Sequence, residues 1–212
     1  MYDAVKRLLD IVFSAFLLVL VSPLLLLVSV LVMIDVGRPV LFTQSRPGRG
    51  GRPFTILKFR TMRQAPGDIG DLAAVYTDAE RLTRIGRALR VTSLDELPQL
   101  WNVLVGNMSF VGPRPLLTDY LTRYNTEQAR RHEVRPGITG WAQVNGRNAV
   151  DWPERLAMDV YYVDHRSFLF DVRVLARTVG ALVGGRGVDA PGRTTVRPFD
   201  PDIASGDHKE DL

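Results

Sequence analysis

The amino-acid sequence predicts a mainly helical α+β protein that begins with a helix-break-helix membrane segment. Three observations support this fold class. An uncharged apolar run extends from Ile11 to Ile34, two short strand-like segments follow it around a glycine-rich turn, and apolar residues recur at helical spacing from Asp78 onward. The predicted organisation is a membrane segment over residues 1–36, a folded domain over 37–183 and a largely irregular tail over 184–212.

The composition narrows the classes of partner and of chemistry. The chain has 212 residues, with 27 Lys and Arg against 23 Asp and Glu, so its net charge is +4. This balance suits an anionic partner such as a phosphate, a nucleic acid or an acidic bilayer surface, without choosing among them. The absence of cysteine excludes disulfides, thiolate metal sites and cysteine nucleophiles, and three histidines argue against a histidine-rich metal site.

The apolar run is long enough to cross a hydrocarbon core and too long for the apolar part of a signal peptide. Ser22 and Pro23 interrupt it at its midpoint. Proline removes a backbone donor and frees the carbonyl of Val19, which the serine hydroxyl can satisfy. We therefore expect a fixed bend that returns both ends of the segment to one membrane face, a re-entrant arrangement. A kinked single span is the alternative.

Basic residues flank the apolar run on both sides, which favours the bend because a spanning helix would place one basic group on the wrong side. Lys6 and Arg7 precede the run, and six basic residues follow it: Arg38, Arg46, Arg49, Arg52, Lys58 and Arg60.

The segments Pro39–Gln44 and Pro53–Met62 are predicted to pair as a β-hairpin around the turn SRPGRGGR. The arginines of this turn either are solvated or meet lipid phosphates.

Helical spacing dominates the rest of the chain. Leu82, Ile85 and Leu89 mark one helix, whose other faces carry an arginine at every third position. Four more helices are predicted: about Leu97 to Val105 with Gly106 as its C-cap, Leu116 to His132, Trp152 to His165, and Phe168 to Val183. The last helix has an apolar stripe that is either core or a contact with the membrane surface: Leu169, Val172, Ala176, Val179 and Val183.

The stretch TSLDELPQL places two acids, Asp95 and Glu96, side by side. Ser93 followed three residues later by Glu96 matches a capping box, which would explain Glu96 without chemistry and would leave Asp95 unexplained. A helix N-terminus also binds phosphate, and two acids close to arginines suit a diphosphate with Mg²⁺. The second interpretation predicts phosphoryl transfer.

Phosphate-seeking residues lie around the acid pair in the sequence. Arg90 precedes it, and Arg114 stands between two prolines in a stiff loop. The segment RPGITGWAQVNGR adds two arginines and two amides that could read a base or a sugar: Arg135, Arg147, Gln143 and Asn145.

Three blocks of the sequence, KFRTM, TSLDELPQLWNVLVGNMSFVGPRP and RPGITGWAQVNGR, resemble the signature blocks of the bacterial sugar transferase family. The resemblance is to its small monotopic phosphoglycosyl transferases, which begin glycoconjugate assembly on a polyprenyl phosphate. It extends from Lys6 to about Val179 in the same order and with similar spacing.

The resemblance implies a fold and a reaction. The membrane segment would be a re-entrant helix broken at Ser22 and Pro23, with amphipathic helices at the membrane surface. Asp95 would be the nucleophile and a ligand of Mg²⁺, and Glu96 a metal or proton-handling partner. Asp95 would attack a UDP-sugar, release UMP and hold a phosphosugar, which undecaprenyl phosphate would then accept to give a polyprenyl diphosphate sugar.

The resemblance also implies a location in the bacterial inner membrane, with the catalytic domain on the cytoplasmic side and in contact with membrane lipids. It leaves open whether the protein forms a homodimer. Lys58, Arg90 and Arg114 match family positions that face phosphate, although Lys58 could equally pair with lipid headgroups. Both UDP-hexoses and UDP-N-acetylhexosamines remain open as donors.

Several residues have competing interpretations. Asp159 either faces the substrate cavity or pairs with an arginine, His132 is more typical of a structural hydrogen-bond donor, and Trp141 and Trp152 stack uracil or pack in the core. Three alternative functions remain: a membrane-anchored nucleic-acid binder, which the aromatic and basic spacing supports poorly, a non-catalytic scaffold, and a glycosyltransferase that releases UDP.

Overall fold

The computed structural model describes residues 2–63, 81–145, 150–183 and 199. It confirms the mainly helical α+β class with a short antiparallel hairpin. The predicted irregular tail lies outside the described residues except for Phe199.

The apolar run forms two helices that meet at a sharp bend. Helix α1 covers Tyr2–Leu20 and helix α2 covers Ser22–Asp35, and their axes differ by 62°. The Ser22 hydroxyl donates to the Val19 carbonyl at 2.8 Å, the hydrogen bond expected from the missing donor of Pro23. Within the described ranges no single helix is long and apolar enough to cross a membrane, whereas α1 and α2 meet that criterion together as a bent pair.

The hairpin pairs β1, Leu41–Pro47, with β2, Pro53–Phe59, and its register runs from Leu41 opposite Phe59 to Pro47 opposite Pro53. A short 3-10 turn over Arg49–Gly51 connects the strands. Gly50 adopts a φ of 65° there, which a side chain would strain. The hairpin prediction is confirmed with shifted limits: β1 begins and ends later than the predicted Pro39–Gln44, and β2 ends at Phe59, before the predicted Met62.

Helix α3 covers Arg84–Val91, and helix α4 covers Gln99–Val105. Between them, residues Leu94–Glu96 form a 3-10 turn. Gly106 ends α4 in the left-handed conformation with a φ of 94°, as its C-cap position predicts.

The predicted helix from Leu116 to His132 is wrong. Three short pieces replace it: a 3-10 turn over Thr118–Tyr120, helix α5 over Thr126–Ala129, and a 3-10 turn over Arg130–Glu133. The side chain of Asn125 accepts from the Gln128 N–H while Gln128 bonds back to the Asn125 N–H, so a capping box starts a new helix in the middle of the segment.

A second sheet was not predicted from the sequence. Strand β3, Ser109–Val111, pairs in parallel with strand β4, Gly137–Thr139. Three-residue strands are too short to show a period. A Cβ at Gly137 would stand 2.2 Å from the Gly112 nitrogen, so the two backbones can approach only because glycine is present.

Helix α6, Trp141–Asn145, is followed by α7, Trp152–His165, and α8, Phe168–Val183. The last two have their predicted bounds. The predicted stripe on α8 is not core, because Leu169, Val172 and Val179 are exposed. Val174 and Asp171 instead form the buried face of this helix, and the membrane-surface interpretation of the stripe stays a prediction.

The polar N-terminal part of α1 is held against the folded domain by hydrogen bonds. Arg7 donates to the carbonyls of Val103 (2.6 Å) and Leu104 (2.8 Å) at the end of α4. Lys6 pairs with Asp171 of α8 at 2.6 Å. Both N-terminal cations therefore bind groups of the folded domain, which holds the start of α1 beside that domain.

Candidate active site

The acid pair lies on the 3-10 turn that precedes α4. This turn starts at Ser93, which has a φ of 57°. Left-handed backbone at a serine costs free energy and is a feature of functional sites. The Ser93 side chain caps no N–H group, so the capping-box interpretation of Ser93 and Glu96 is wrong.

Glu96 is bound by two cations instead. Its Oε1 atom accepts from Lys58 Nζ of β2 at 2.7 Å and from Arg114 Nη2 at 2.7 Å. Burial by itself would raise the pKa of Glu96, but Arg114 and Lys58 outweigh burial and hold this pKa at about 2. Glu96 therefore stays ionised throughout the physiological range.

Asp95 lies in a different environment although it is the neighbouring residue. Its side chain is buried, and none of the side chains in the described part of the chain hydrogen bonds its carboxylate. Burial, followed by the negative charge of Glu96, raises the pKa of Asp95 to about 6, with Lys58, Arg114 and Arg90 opposing the rise. At neutral pH Asp95 is thus mostly ionised, unpaired and more basic than an ordinary aspartate.

Lys58 and Arg90 are held close to the acids by separate elements. Burial and the nearby Arg114 lower the pKa of Lys58, which is the expected effect of enclosing two cations around one carboxylate. Arg90, near the end of α3, donates its Nε to the Thr61 hydroxyl at 3.0 Å, which orients the guanidinium. The structure thus brings together Asp95, Glu96, Lys58, Arg90 and Arg114 from the predicted set.

Asp159 of α7 pairs with Arg131 at 2.7 Å, so the arginine-pairing interpretation is the one the structure bears out. Both side chains are almost fully buried. Arg131 also donates to the backbone carbonyl of Arg114 at 2.6 Å. The pair therefore supports the loop that carries Arg114. Sequence reasoning missed Arg131, although it stands beside His132 in the segment RRHEVRPG.

The other predicted binding residues have no described contact with the acid pair. Arg135 donates to the Gly106 carbonyl at 2.9 Å, and Asn145 hydrogen bonds the Trp141 carbonyl and Arg177. The Gln143 amide atoms are buried and without a hydrogen-bond partner among the described residues. Arg147 lies outside the described residues.

The donor set of the acid pair fits Mg²⁺. Mg²⁺ usually takes one or two carboxylates and completes its octahedron with water and substrate phosphates. Both cations bind Oε1 of Glu96, which leaves Oε2 without a described partner, and the Asp95 carboxylate accepts no hydrogen bond from the described residues. The described residues contain no cluster of three or more His, Asp or Glu side chains that could hold a metal. Water and substrate phosphates would complete the coordination of Mg²⁺ bound to the acid pair.

Trp141, Trp152 and His132 contact other residues of the fold in ways that suit structural roles. Trp141 packs on Phe170, with ring centroids 4.8 Å apart. Trp152 packs edge-on against Tyr120 at 5.7 Å. Burial, followed by the charge of Arg131, lowers the pKa of His132 to about 4, so its ring is neutral near pH 7. Its hydrogen bond with the Gly48 backbone supports the structural interpretation.

The two acids and the three cations beside them form a site suited to phosphate groups, and comparison with known proteins assigns the family. The model of the bacterial sugar transferase family matches residues 1–185. The chain belongs to this family.

Relatives in other bacteria agree with the family assignment. The Bacillus subtilis protein called "Uncharacterized sugar transferase EpsL" is 48% identical over 95% of this chain and 97% of its own length. The UDP-glucose:undecaprenyl-phosphate glucose-1-phosphate transferase of Caulobacter vibrioides is 45% identical over 85% of this chain and 70% of its own. The UDP-N-acetylgalactosamine-undecaprenyl-phosphate N-acetylgalactosaminephosphotransferase of Aeromonas hydrophila is 38% identical over 88% of this chain and 45% of its own.

Proposed function

We propose that this protein transfers a sugar 1-phosphate from a UDP-sugar to undecaprenyl phosphate and releases UMP. The family and the names of the Caulobacter and Aeromonas relatives support the general reaction. The observation that carries the mechanism is the contrast within the acid pair. Glu96 is fixed by two cations, whereas Asp95 is unpaired, buried and raised in pKa.

In the first half-reaction, an Asp95 oxygen attacks the sugar-bearing phosphorus of the donor. A bond forms between the carboxylate oxygen and phosphorus, and the bond from phosphorus to the bridging oxygen of the diphosphate breaks, so UMP leaves with the electron pair. In the second half-reaction, a phosphate oxygen of undecaprenyl phosphate attacks the same phosphorus. The bond to Asp95 then breaks, which restores the carboxylate and gives undecaprenyl diphosphate sugar.

Positive groups around Asp95 supply the electrostatic part of catalysis. Lys58, Arg90 and Arg114 are already held in place by Glu96 and Thr61, so they stabilise charge on the transferring phosphoryl group without reorganising. Asp95 and Glu96 Oε2 would hold Mg²⁺, which as a Lewis acid supplies charge neutralisation at the diphosphate.

Glu96 acts in this proposal as an anchor and a metal ligand, and not as a carrier of protons. A group with a pKa of about 2 releases its proton far below neutral pH and takes up none at pH 7. Its charge serves two purposes: it holds Lys58 and Arg114 beside the reacting phosphorus, and it makes Asp95 more basic and hence more nucleophilic.

The bent pair α1 and α2 supports a re-entrant placement in the inner membrane, with both ends on the cytoplasmic side. Lipid would leave the Val19 carbonyl unpaired at a costly depth, and the Ser22 hydroxyl removes that cost. Labelling of a tag at residue 1 by a membrane-impermeant reagent should succeed only after the inner membrane is opened. Labelling from the periplasm in intact cells would contradict this placement.

The reaction is tested by resolving the nucleotides released from purified protein given Mg²⁺, undecaprenyl phosphate and a panel of UDP-sugars. The panel starts with UDP-glucose and UDP-N-acetylgalactosamine, the donors in the relatives' names. We expect UMP with one donor. Release of UDP would mean transfer of the sugar without phosphate and would overturn the proposal.

The covalent step has its own test. A donor labelled in the sugar-bearing phosphate, without acceptor, should leave label on the protein, and Asp95→Asn should leave none. Asp164→Asn is the matched control, because Asp164 is an exposed acid that pairs with Arg130 on the surface. Labelling of Asp95→Asn at the wild-type level would exclude Asp95 as the nucleophile.

A further inference from the structure

An aromatic pocket on the folded domain encloses Phe199, far beyond the end of α8 in sequence. The Phe199 ring lies 5.4 Å from the Tyr120 ring, 5.6 Å from the Tyr124 ring and 5.4 Å from the Trp152 ring, measured between centroids. Leu156 of α7 completes the floor. Only 1% of Phe199 remains exposed, and burial of a whole phenyl side chain contributes roughly 2 kcal/mol or more.

The pocket also binds the backbone of Phe199. Its N–H donates to the Tyr120 hydroxyl at 3.0 Å, and its carbonyl accepts from Arg123 Nη1 at 3.0 Å. Side chains of the folded domain therefore contact the Phe199 ring, accept from its N–H and donate to its carbonyl. Nonspecific burial of an apolar side chain would not require these two hydrogen bonds.

Two routes connect this pocket with Arg114. Along the chain, Leu116 and Leu117 pack against the pocket, two and three residues after Arg114. Through space, the Tyr124 ring contacts Phe199 and also Arg131, whose guanidinium is 5.7 Å from the ring centroid. Arg131 donates to the Arg114 carbonyl, and Arg114 binds Glu96.

We propose that Phe199 is a positioning residue, whose docking in the aromatic pocket holds Arg114 against the acid pair. This inference rests on the proposed function for the role of Arg114. Without Phe199 the Tyr124 ring loses a contact, and the cluster against which Leu116 and Leu117 pack loses one of its three buried side chains. The loop of Arg114 would then be less firmly supported. A small displacement of a charge-stabilising group is costly in rate.

Docking of Phe199 in the pocket can be measured without an assay of enzyme activity. Hydrogen exchange of the full-length protein, followed by mass spectrometry, should show the Phe199 amide protected, because its N–H is buried and bonded to Tyr120. Tyr120→Phe, which keeps the ring and removes the acceptor, should speed exchange at this amide. Exchange of the wild-type amide at the rate of an unstructured peptide would overturn the proposal.

The positioning role is measured by a double-mutant cycle. The rate kcat is expressed per active site, and the active sites are counted by their uptake of labelled phosphosugar. Phe199→Ala should lower this kcat about tenfold. Phe199→Leu should recover most of the loss, because the leucine side chain refills the pocket. In an Arg114→Ala background, Phe199→Ala should have little further effect. Phe168→Ala, at an exposed phenylalanine of α8, is the control and should retain the wild-type kcat.

The outcomes separate this proposal from the proposed function. Equal losses from Phe199→Ala with and without Arg114 would indicate a general structural role and would overturn the positioning role. A wild-type protein that releases no UMP would contradict the proposed function, while protection of the Phe199 amide would still report whether Phe199 docks in the pocket.

Discussion

Two groups of charged side chains join distant parts of this molecule, and they differ in how completely they are paired. In the first group, which we call the N-terminal clamp, Lys6 and Tyr2 of α1 and Tyr162 of α7 all donate to Asp171 of α8. In the second group, the acid pair, Glu96 has two cations and Asp95 has no described hydrogen bond.

The difference separates structure from chemistry. A buried carboxylate that accepts three hydrogen bonds contributes to a fixed arrangement of helices, and its removal leaves buried donors unpaired. A buried carboxylate without such partners is destabilised in its charged form, and it is correspondingly ready to bind a cation or attack phosphorus. Mutations in the two groups should therefore affect different quantities.

The largest expected effect is the loss of turnover in Asp95→Asn. We expect UMP release to fall about a thousandfold or more, because the amide is not a nucleophile and the neighbouring Glu96 is held by Lys58 and Arg114. Measurement of nucleotide release together with thermal unfolding distinguishes a chemical loss from an unfolded sample. Turnover within tenfold of wild type would refute the special role of the unpaired acid.

Glu96→Gln is expected to have the next largest effect. The neutral amide no longer holds Lys58 and Arg114 by charge, and Asp95 loses the negative neighbour that raises its pKa. Loss of one preorganised electrostatic element typically lowers kcat about a hundredfold or more. Steady-state kinetics of purified variants would show it. Glu96→Asp tests whether charge alone is sufficient, and a wild-type kcat in Glu96→Gln would contradict the anchoring role.

Asp171→Asn should show the opposite pattern. Breaking the N-terminal clamp leaves Lys6 partly buried without its anion, and such a loss costs about 3 kcal/mol of stability. We expect a lower unfolding temperature with a nearly unchanged kcat per folded molecule. Asp164→Asn, which disrupts an exposed ion pair, should cost much less. A large loss of kcat in a fully folded Asp171→Asn protein would mean that the clamp takes part in catalysis.

The elements that sequence reasoning predicted well are those with a long period or a local chemical cause. Helices α7 and α8 have strong periodic patterns, and the bend at Ser22 follows from the missing donor of Pro23. The segment from Leu116 to His132 looked equally periodic, but the Asn125 capping box divides it. The strands β3 and β4 depend on a contact between distant glycines, which no local pattern reveals.

The sequence identified which residues the structure brings together at the candidate site, but it did not predict the contacts between them. The residues of the acid pair and the three nearby cations could be identified because acids and arginines cluster in a few motifs. The different roles of Asp95 and Glu96 could not be predicted, because they depend on contacts between distant residues. Lys58 reaches Glu96 from a strand 38 positions earlier, and Arg131 supports Arg114 from the segment before β4. The partners of Lys6 and Arg7 were likewise not predicted, because they lie on α8 and α4, far away in sequence.

The smallest expected effect follows from the sign of the Asp95 pKa shift. Its pKa in the folded protein is about 6, against a reference value of 3.8, so the folded state takes up a proton that the unfolded state does not. This group therefore stabilises the fold below about pH 4, and that contribution is lost as the pH rises through about 6. Asp95→Asn, which cannot ionise, should exceed wild type in stability at pH 8 by on the order of 1 to 3 kcal/mol, and the two should converge near pH 4.

Thermal melts of both proteins across this range test the prediction, with Asp164→Asn as the control without such a gain. A lower melting temperature for Asp95→Asn at pH 8 would show that the Asp95 carboxylate is paired after all, and would remove the contrast with the N-terminal clamp.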